Sequence, residues 1–589
     1  MHAIHLRTEY LKNPVGLGNR SPRLIWNCAA EDGASSNFQT AYEIIAKDDC
    51  GETLWESGKV TSSSMQAVWD GAFVPEKTLV TWSVRLYDEN DLSGEWVSAA
   101  FETGLDPESW KAARWIAGDY KVNPKLRYPA DCFRKSFSTA SDSPVKKARL
   151  YITACGLYEA RLNGRKAGES VLAPGYTDYR KRIQYQTIDV TELLTGGENT
   201  LTVQLADGWY RGSCGAWGLK NQYGTETKLL LILEITFEDG TVQQVCSDGS
   251  FEWSNDGPVR FTDNKDGEKI DARMTPSYSG RAKVTSHPVV PTASDNVLLK
   301  EHETLKPQVL TTPAGKTVLD FGQNIAGYIS FSANAEEGQK IRLRFGELID
   351  QDGEFTQKNI QCSNKKKTTP LQEVDYICRE GRNDYKTTFA IFGFQYVLVE
   401  GDPVEWTPED FTAIAVYSDM EETGRFSSSN ELLDKLVDST RWSAKNNHAD
   451  LPTDCPTRER HGWAGDAQIF CRTASYLFSY APMARKYEND LIDGSRKNGC
   501  FPQIAPRGGV DAYMNSMDGS AGWSDAGVFI PYDIYRMYRD TKILSDNYDV
   551  MCRYARFKIG TLGKWYMTSR PTGIERKNRK NISNYGQSY

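Results

Sequence analysis

Three carboxylates, two arginines and a tryptophan fall within thirteen residues, Asp454-Cys-Pro-Thr-Arg458-Glu459-Arg460-His461-Gly-Trp463-Ala-Gly-Asp466, ahead of a predicted helix. These types suit a polar ring. Trp463 offers a flat apolar face to a C–H surface, Asp454 and Asp466 can accept hydroxyl hydrogens, and Glu459 can donate a proton. A surface loop of ion pairs would use the same charges at little energetic gain. Pro452 and Pro456 stiffen the run and a large aromatic sits among the charges, which weighs against that alternative.

A second segment echoes the first. Gly462-Trp463-Ala-Gly-Asp466 and Gly522-Trp523-Ser-Asp525 both place Gly-Trp and then Asp at a predicted helix start, with the tryptophans 60 residues apart. That spacing is about two helical hairpins, so both loops can open inner helices onto one end of a toroid; a repeated hydrophobic cap is the alternative. A helix start stabilises an anion, which makes Asp466 and Asp525 acceptors rather than acids. For the lone His448 and His461, structural hydrogen bonds are expected rather than substrate contacts.

The elements that must hold these loops are helical. From Asn430 to Ala444 the pattern puts Leu433, Leu436, Val437 and Thr440 on one helix face, with Ser428 or Ser429 as N-cap. Further helices are predicted over about 465–479, 483–496, 524–539 and 542–560, as in a bundle, solenoid or α/α toroid. Everything earlier alternates with period two. Strands such as Thr81–Tyr87 give a fibronectin-like sandwich over 1–107, and Arg149–Thr153 and Leu229–Phe237 mark a β-domain over 108–287. A third β-sandwich covers 288–422, and the helical part 423–589. Asn163-Gly164 and Asp239-Gly240 are predicted type I′ hairpin turns. The run Asp207-Gly-Trp-Tyr-Arg-Gly-Ser-Cys-Gly-Ala-Trp217 is either a sugar-binding surface or a packed turn, with the packed turn favoured.

Composition narrows the function. A chain of 589 residues exceeds one core. Net charge is −8 and no basic tract stands apart, Lys365–Lys367 reading as a solvated loop, so nucleic-acid and anionic-membrane partners are disfavoured. Neither a signal-like start nor a span-length apolar run is seen, so a cytoplasmic location is expected. Twelve scattered cysteines and six histidines show no metal-ligand spacing; no metal and no cofactor are expected, and the thiols are expected to be reduced.

The Asp454–Asp466 loop resembles the catalytic loop of bacterial α-L-rhamnosidases (glycoside hydrolase family 78), and the resemblance extends over essentially the whole chain. Asp320-Phe-Gly-Gln-Asn324 with Gly327, Phe392-Gly-Phe-Gln-Tyr396 and Ala521-Gly-Trp-Ser-Asp-Ala526 also match. The resemblance implies a multidomain protein: β-sandwich and jelly-roll domains, the jelly roll over 108–287 sometimes binding carbohydrate, followed by an (α/α)6-barrel. It also implies inverting hydrolysis of terminal non-reducing α-L-rhamnose from rhamnosides. Glu459 then corresponds to the general acid, Asp454 and Asp466 to residues that bind rhamnose hydroxyls, and Trp463 to a sugar-packing residue. Arg458, Trp523 and Asp525 are counted with the substrate-binding residues.

Inversion needs a second carboxylate across the ring to activate water. In the family this is a glutamate of the second half of the barrel, so the expectation is that only about the first half is present and that the base lies beyond Tyr589. Glu575 stands among Lys and Arg and is not assigned the role. The competing readings are a carbohydrate-binding or inactive remnant and another glycosidase on the same toroid.

Overall fold

Every second side chain of Leu79–Tyr87 is buried. Val80, Trp82, Val84 and Leu86 face inward, the period of a strand half in a core. In space the strand belongs to a five-stranded sheet ordered Val15–Leu17, Val97–Thr103, Leu79–Tyr87, Ala41–Asp48, Thr53–Thr61. A three-stranded sheet of His2–Thr8, Arg23–Ala29 and Gln66–Val68 shares its core, and Trp26, Trp69, Trp82 and Phe101 fill the space between. The computed structural model describes residues 1–30, 38–362, 368–510 and 512–561; the Lys365–Lys367 run and Glu575 lie outside them.

Six-stranded and seven-stranded sheets follow, packed through Phe133, Leu150, Ile152, Val203, Leu205, Leu231 and Leu233. Leu157–Leu162 turns into Arg165–Lys166 through Asn163 and Gly164, both at positive φ (53° and 78°), as a type I′ turn requires. Asp239-Gly240 differs from expectation. Gly240 alone takes positive φ, its N–H donating to Phe237 O at 3.0 Å while Phe237 N–H donates to Thr241 O. One left-handed residue suffices there because the loop is longer by one.

A ten-stranded sheet is built around the 19-residue strand Thr317–Ala335. Two earlier strands, Val259–Asp263 and Gly267–Asp271, join it, the second parallel to Glu373–Ile377. Their tight connection carries Asn264, Lys265 and Asp266 to the helical side, all three buried.

The helices are α1 (Gly208–Arg211), α2 (Glu431–Asn446), α3 (Ala464–Leu477), α4 (Ala481–Gly494), α5 (Ala512–Ser516), α6 (Ala526–Tyr538) and α7 (Thr541–Thr561). The N-cap of α2 is Asn430, not Ser428 or Ser429: its side chain accepts from Leu432 N–H at 3.0 Å, while Ser428 bonds the Asp434 carboxylate. The predicted apolar face of α2 is not core either. Leu433 and Leu436 are 46% and 61% exposed, and α2 docks instead through its C-terminal end. There Lys445 pairs with Glu303 (2.8 Å) and Glu422 (2.7 Å), and Asn446 bonds the backbone of Ala326 and Asn324 on the ten-stranded sheet. Helix α6 packs against α3, α4 and α7; Ala526, Gly527 and Ile530 are among its buried positions, as Ala464, Ala467, Cys471 and Ala474 are among those of α3. The five-residue α5 has no periodicity to announce it and was not expected. No helix among the described residues is long and apolar enough to cross a membrane.

Candidate active site

The segment joining α2 to α3 is fixed at both ends by buried polar groups. His448 Nδ1 contacts Ala444 O at 2.7 Å and Nε2 contacts the Tyr480 hydroxyl at 3.1 Å. Burial holds this imidazole down at about 4, so it is neutral and structural. Asp450, at positive φ, accepts from Tyr176 N–H at 2.6 Å and pairs with buried Lys486 at 3.2 Å. At the far end Gly462 O accepts from Tyr487 OH at 2.8 Å. A Cβ on Gly462 would lie 2.0 Å from Ala505 O, so only glycine fits.

Between these ends the loop closes on itself. Asp454 N–H donates to His461 O (3.1 Å) and Asp454 Oδ1 accepts from His461 N–H (2.9 Å). Arg460 is half-buried outside the cleft lining and donates to Asn264 O (2.8 Å), Ile391 O (2.6 Å) and Gln372 Oε1 (2.8 Å). Lys265 Nζ donates to Arg458 O and Gly215 O, and His461 Nε2 accepts from Ala216 N–H at 3.2 Å. The second and third β-domains therefore both shape the loop. His461, buried and close to Lys265, is lowered to about 3 and stays neutral, as an acceptor must.

A cleft of about 500 Å³ opens beside this loop at the start of α3. Asp454, Asp466 and Trp523 line it, together with Asn447, His448, Ile469 and Phe470. The two Gly-Trp motifs meet here: a Cβ on Gly465 would lie 2.8 Å from Trp523 Cδ1, and Gln468 Nε2 donates to Gly522 O. Glu459 and Trp463 stand next to the lining rather than in it. Trp463 Nε1–H donates to Glu459 Oε2 at 3.1 Å, four residues away. The charge of Glu459 reaches both lining aspartates.

Burial pushes Asp454 up to about 6, with Glu459 and Asp466 adding to the rise and the Cys455 thiol opposing it. Asp466 is also raised, by desolvation first and then by Glu459. The helix start expected to favour its anion is thus outweighed by the cleft. With Asp454 held up at about 6 and Asp466 raised in the same direction, the cleft presents hydroxyl acceptors on one side.

Arg458 and Asp525 do not line the cleft. The Arg458 side chain is exposed, and its carbonyl does the docking. Asp525 Oδ2 accepts from Gly522 N–H (2.8 Å) and Oδ1 from Tyr554 OH (2.6 Å), closing its own turn onto α7. Asn447, Ile469 and Phe470 went unnoticed in the sequence. Position one turn along α3 from Asp466 was the available signal for the last two.

Residues 143–309 match the family described as the alpha-L-rhamnosidase N-terminal domain, 310–417 the bacterial alpha-L-rhamnosidase concanavalin-like domain, and 421–573 the bacterial alpha-L-rhamnosidase 6 hairpin glycosidase domain. Residues 3–106 match the Rha78A-like N-terminal immunoglobulin domain. An alpha-L-rhamnosidase of Formosa agariphila is 31% identical over 93% of this chain and 60% of its own. One of Streptomyces avermitilis is 34% identical over 76% of this chain and 44% of its own. The chain thus spans 60% or less of the length of these two relatives. Among solved structures, Streptomyces avermitilis alpha-L-rhamnosidase complexed with L-rhamnose superposes with a TM-score of 0.87 (25% identity, 95% of this chain, 71% of that one). Alpha-L-rhamnosidase from Dictyoglumus thermophilum gives 0.86 (29% identity, 99% and 68%). These matches do not establish the half-barrel expected above.

Proposed function

Because the chain belongs to the bacterial α-L-rhamnosidase family, we propose that the α3 cleft binds a terminal, non-reducing α-L-rhamnose and takes part in its hydrolysis with inversion. One observation carries this reading: Asp454, Asp466 and Trp523 line one cleft, with Glu459 tethered to Trp463 at its edge. The relative complexed with L-rhamnose supports it.

In this reading Glu459 is the general acid. The Trp463 indole N–H occupies Oε2, which leaves the other oxygen to carry the proton to the glycosidic oxygen as the bond to the anomeric carbon breaks. Asp454 and Asp466 take rhamnose hydroxyls and Trp523 packs on the sugar. Water must attack from the opposite face. Asp454, Asp466 and Glu459 act on one another as near charges and are taken as one wall, with the base a carboxylate outside this group. The reading includes no cofactor.

Glu459→Gln is the test. Release of rhamnose from a natural glycoside should fall by at least about 10³-fold, while a rhamnoside with a strongly acidic phenol as leaving group, which needs no proton, should lose far less. Equal losses on both substrates, or none, would move the acid elsewhere. Proton NMR of the first product should show inverted anomeric configuration.

A further inference from the structure

We infer that Trp217, supplied by the jelly-roll domain, is the platform on which the ring of the leaving group stacks. This rests on the reading of the cleft given above. The Asp207–Trp217 run divides in two. Trp209 is buried and stacked on Tyr176, with centroids 5.2 Å apart and planes 3° apart, and Tyr210 is buried against Tyr179. Trp217 is different: it is 37% exposed, and among the described residues its indole has no ring or hydrogen-bond partner.

The backbone that carries it is nonetheless held in place by hydrogen bonds. Cys214 and Leu219 exchange two 2.9 Å hydrogen bonds, and Gly218 N–H closes the turn onto Gly215 O at 3.0 Å, which puts Ala216 and Trp217 at the tip. That tip is fastened to the loop that bears Glu459. Ala216 N–H bonds His461 Nε2, and Lys265 joins Gly215 O to Arg458 O. A Cβ at Gly215 would lie 2.2 Å from His461 Cε1, so turn and loop are in contact and only glycine permits it. His461 is two residues from Glu459, and Arg458 is adjacent to it.

A general acid faces the leaving-group oxygen, so the leaving group emerges beside Glu459, and the turn fastened to that loop carries a large aromatic free of core duties. An indole face takes either an aromatic ring or the C–H face of a second sugar, and that ring is the ligand class proposed.

The test uses the full chain carrying Glu459→Gln, so that ligands survive. Calorimetry compares methyl α-L-rhamnoside, which lacks a ring in its leaving group, with benzyl α-L-rhamnoside and a rhamnosyl-glucose disaccharide. Adding Trp217→Ala should leave the methyl glycoside's affinity within twofold and weaken a ring-bearing ligand about fivefold, as one aromatic contact implies. Whichever ring-bearing ligand loses more identifies the ring. Trp217→Phe should restore most of the loss. Equal weakening for all three ligands would make Trp217 a structural residue and overturn the inference, as would no change for any. Failure of methyl α-L-rhamnoside to bind at all would instead remove the reading of the cleft, and this inference with it.

Discussion

The Trp463 indole N–H and the Glu459 carboxylate are joined at 3.1 Å across the entrance to α3. One residue therefore offers a ring face and also orients the proposed acid. Trp463→Phe keeps most of the ring and removes the hydrogen bond, so kcat on a natural rhamnoside should fall about tenfold or more, a charge-assisted bond contributing ~1.5–3 kcal/mol, with KM little changed. Steady-state kinetics decide it: a rise in KM alone would assign Trp463 to packing only.

The docked histidines give an acid-sensitive fold. His461 and His448 titrate at about 3 and about 4 in the folded chain, below the ordinary 6.5, so the unfolded chain takes up their protons first. Their stabilisation is present above pH 6.5 and is lost as pH falls toward 4, at roughly 1.5 kcal/mol per histidine between pH 6.5 and 5. Asp454, raised to about 6, acts in the opposite sense and loses its contribution as pH rises through that value. Urea midpoints measured at pH 6.5 and 5 give the slope, and His461→Gln should tilt it toward greater stability at the lower pH. An unchanged slope would mean His461 is not held neutral.

Glu488 is buried in α4 and, among the described residues, neither carboxyl oxygen has a hydrogen-bond partner. Burial pushes it up to about 8. The folded state thus keeps a proton that the unfolded chain loses near 4.5, and stability declines as pH rises through 8. Glu488→Met, similar in volume, should raise stability at pH 7.5 by about 2 kcal/mol. A lower melting temperature for this variant would show that the carboxyl has a partner.

Far from the cleft, Arg23 of the first sandwich pairs with buried Glu9 and reaches Asp540, between α6 and α7, at 3.1 Å; Tyr10 OH also donates to Asp540 at 2.7 Å, and Arg485 of α4 pairs with Glu9 at 2.7 Å. Arg23→Ala leaves two carboxylates enclosed without this guanidinium and should cost about 3–5 kcal/mol, read as a lower melting temperature of the whole chain. A loss below ~1 kcal/mol would show that solvent reaches the cluster.

Residues whose chemistry is local were legible in the sequence. Asp454, Glu459, Trp463 and Asp466 stand out by type and spacing, and the two Gly-Trp segments signalled their meeting, made physical by Gly465 against Trp523. Helix starts were legible to within about two residues, because a serine or an asparagine can cap equally well and only geometry chose Asn430. What stayed hidden depends on partners far along the chain. Nothing near Arg460 announces that it will bond Asn264 and Ile391, and nothing near Ala216 points to His461. The apolar face of α2 misled for the same reason: periodicity says which side chains share a face, not what that face meets.

The fastening of the Asp454–Asp466 loop by Arg460 and Lys265 has a consequence for engineering. The loop borrows its shape from two neighbouring domains, so grafting it onto another toroid would carry its functional groups without their alignment. Conversely, the 214–219 turn touches the loop mainly through backbone atoms and a single histidine. On the proposed reading, exchanging the side chain at its tip would retune which aglycones are accepted while the carboxylates stay as they are.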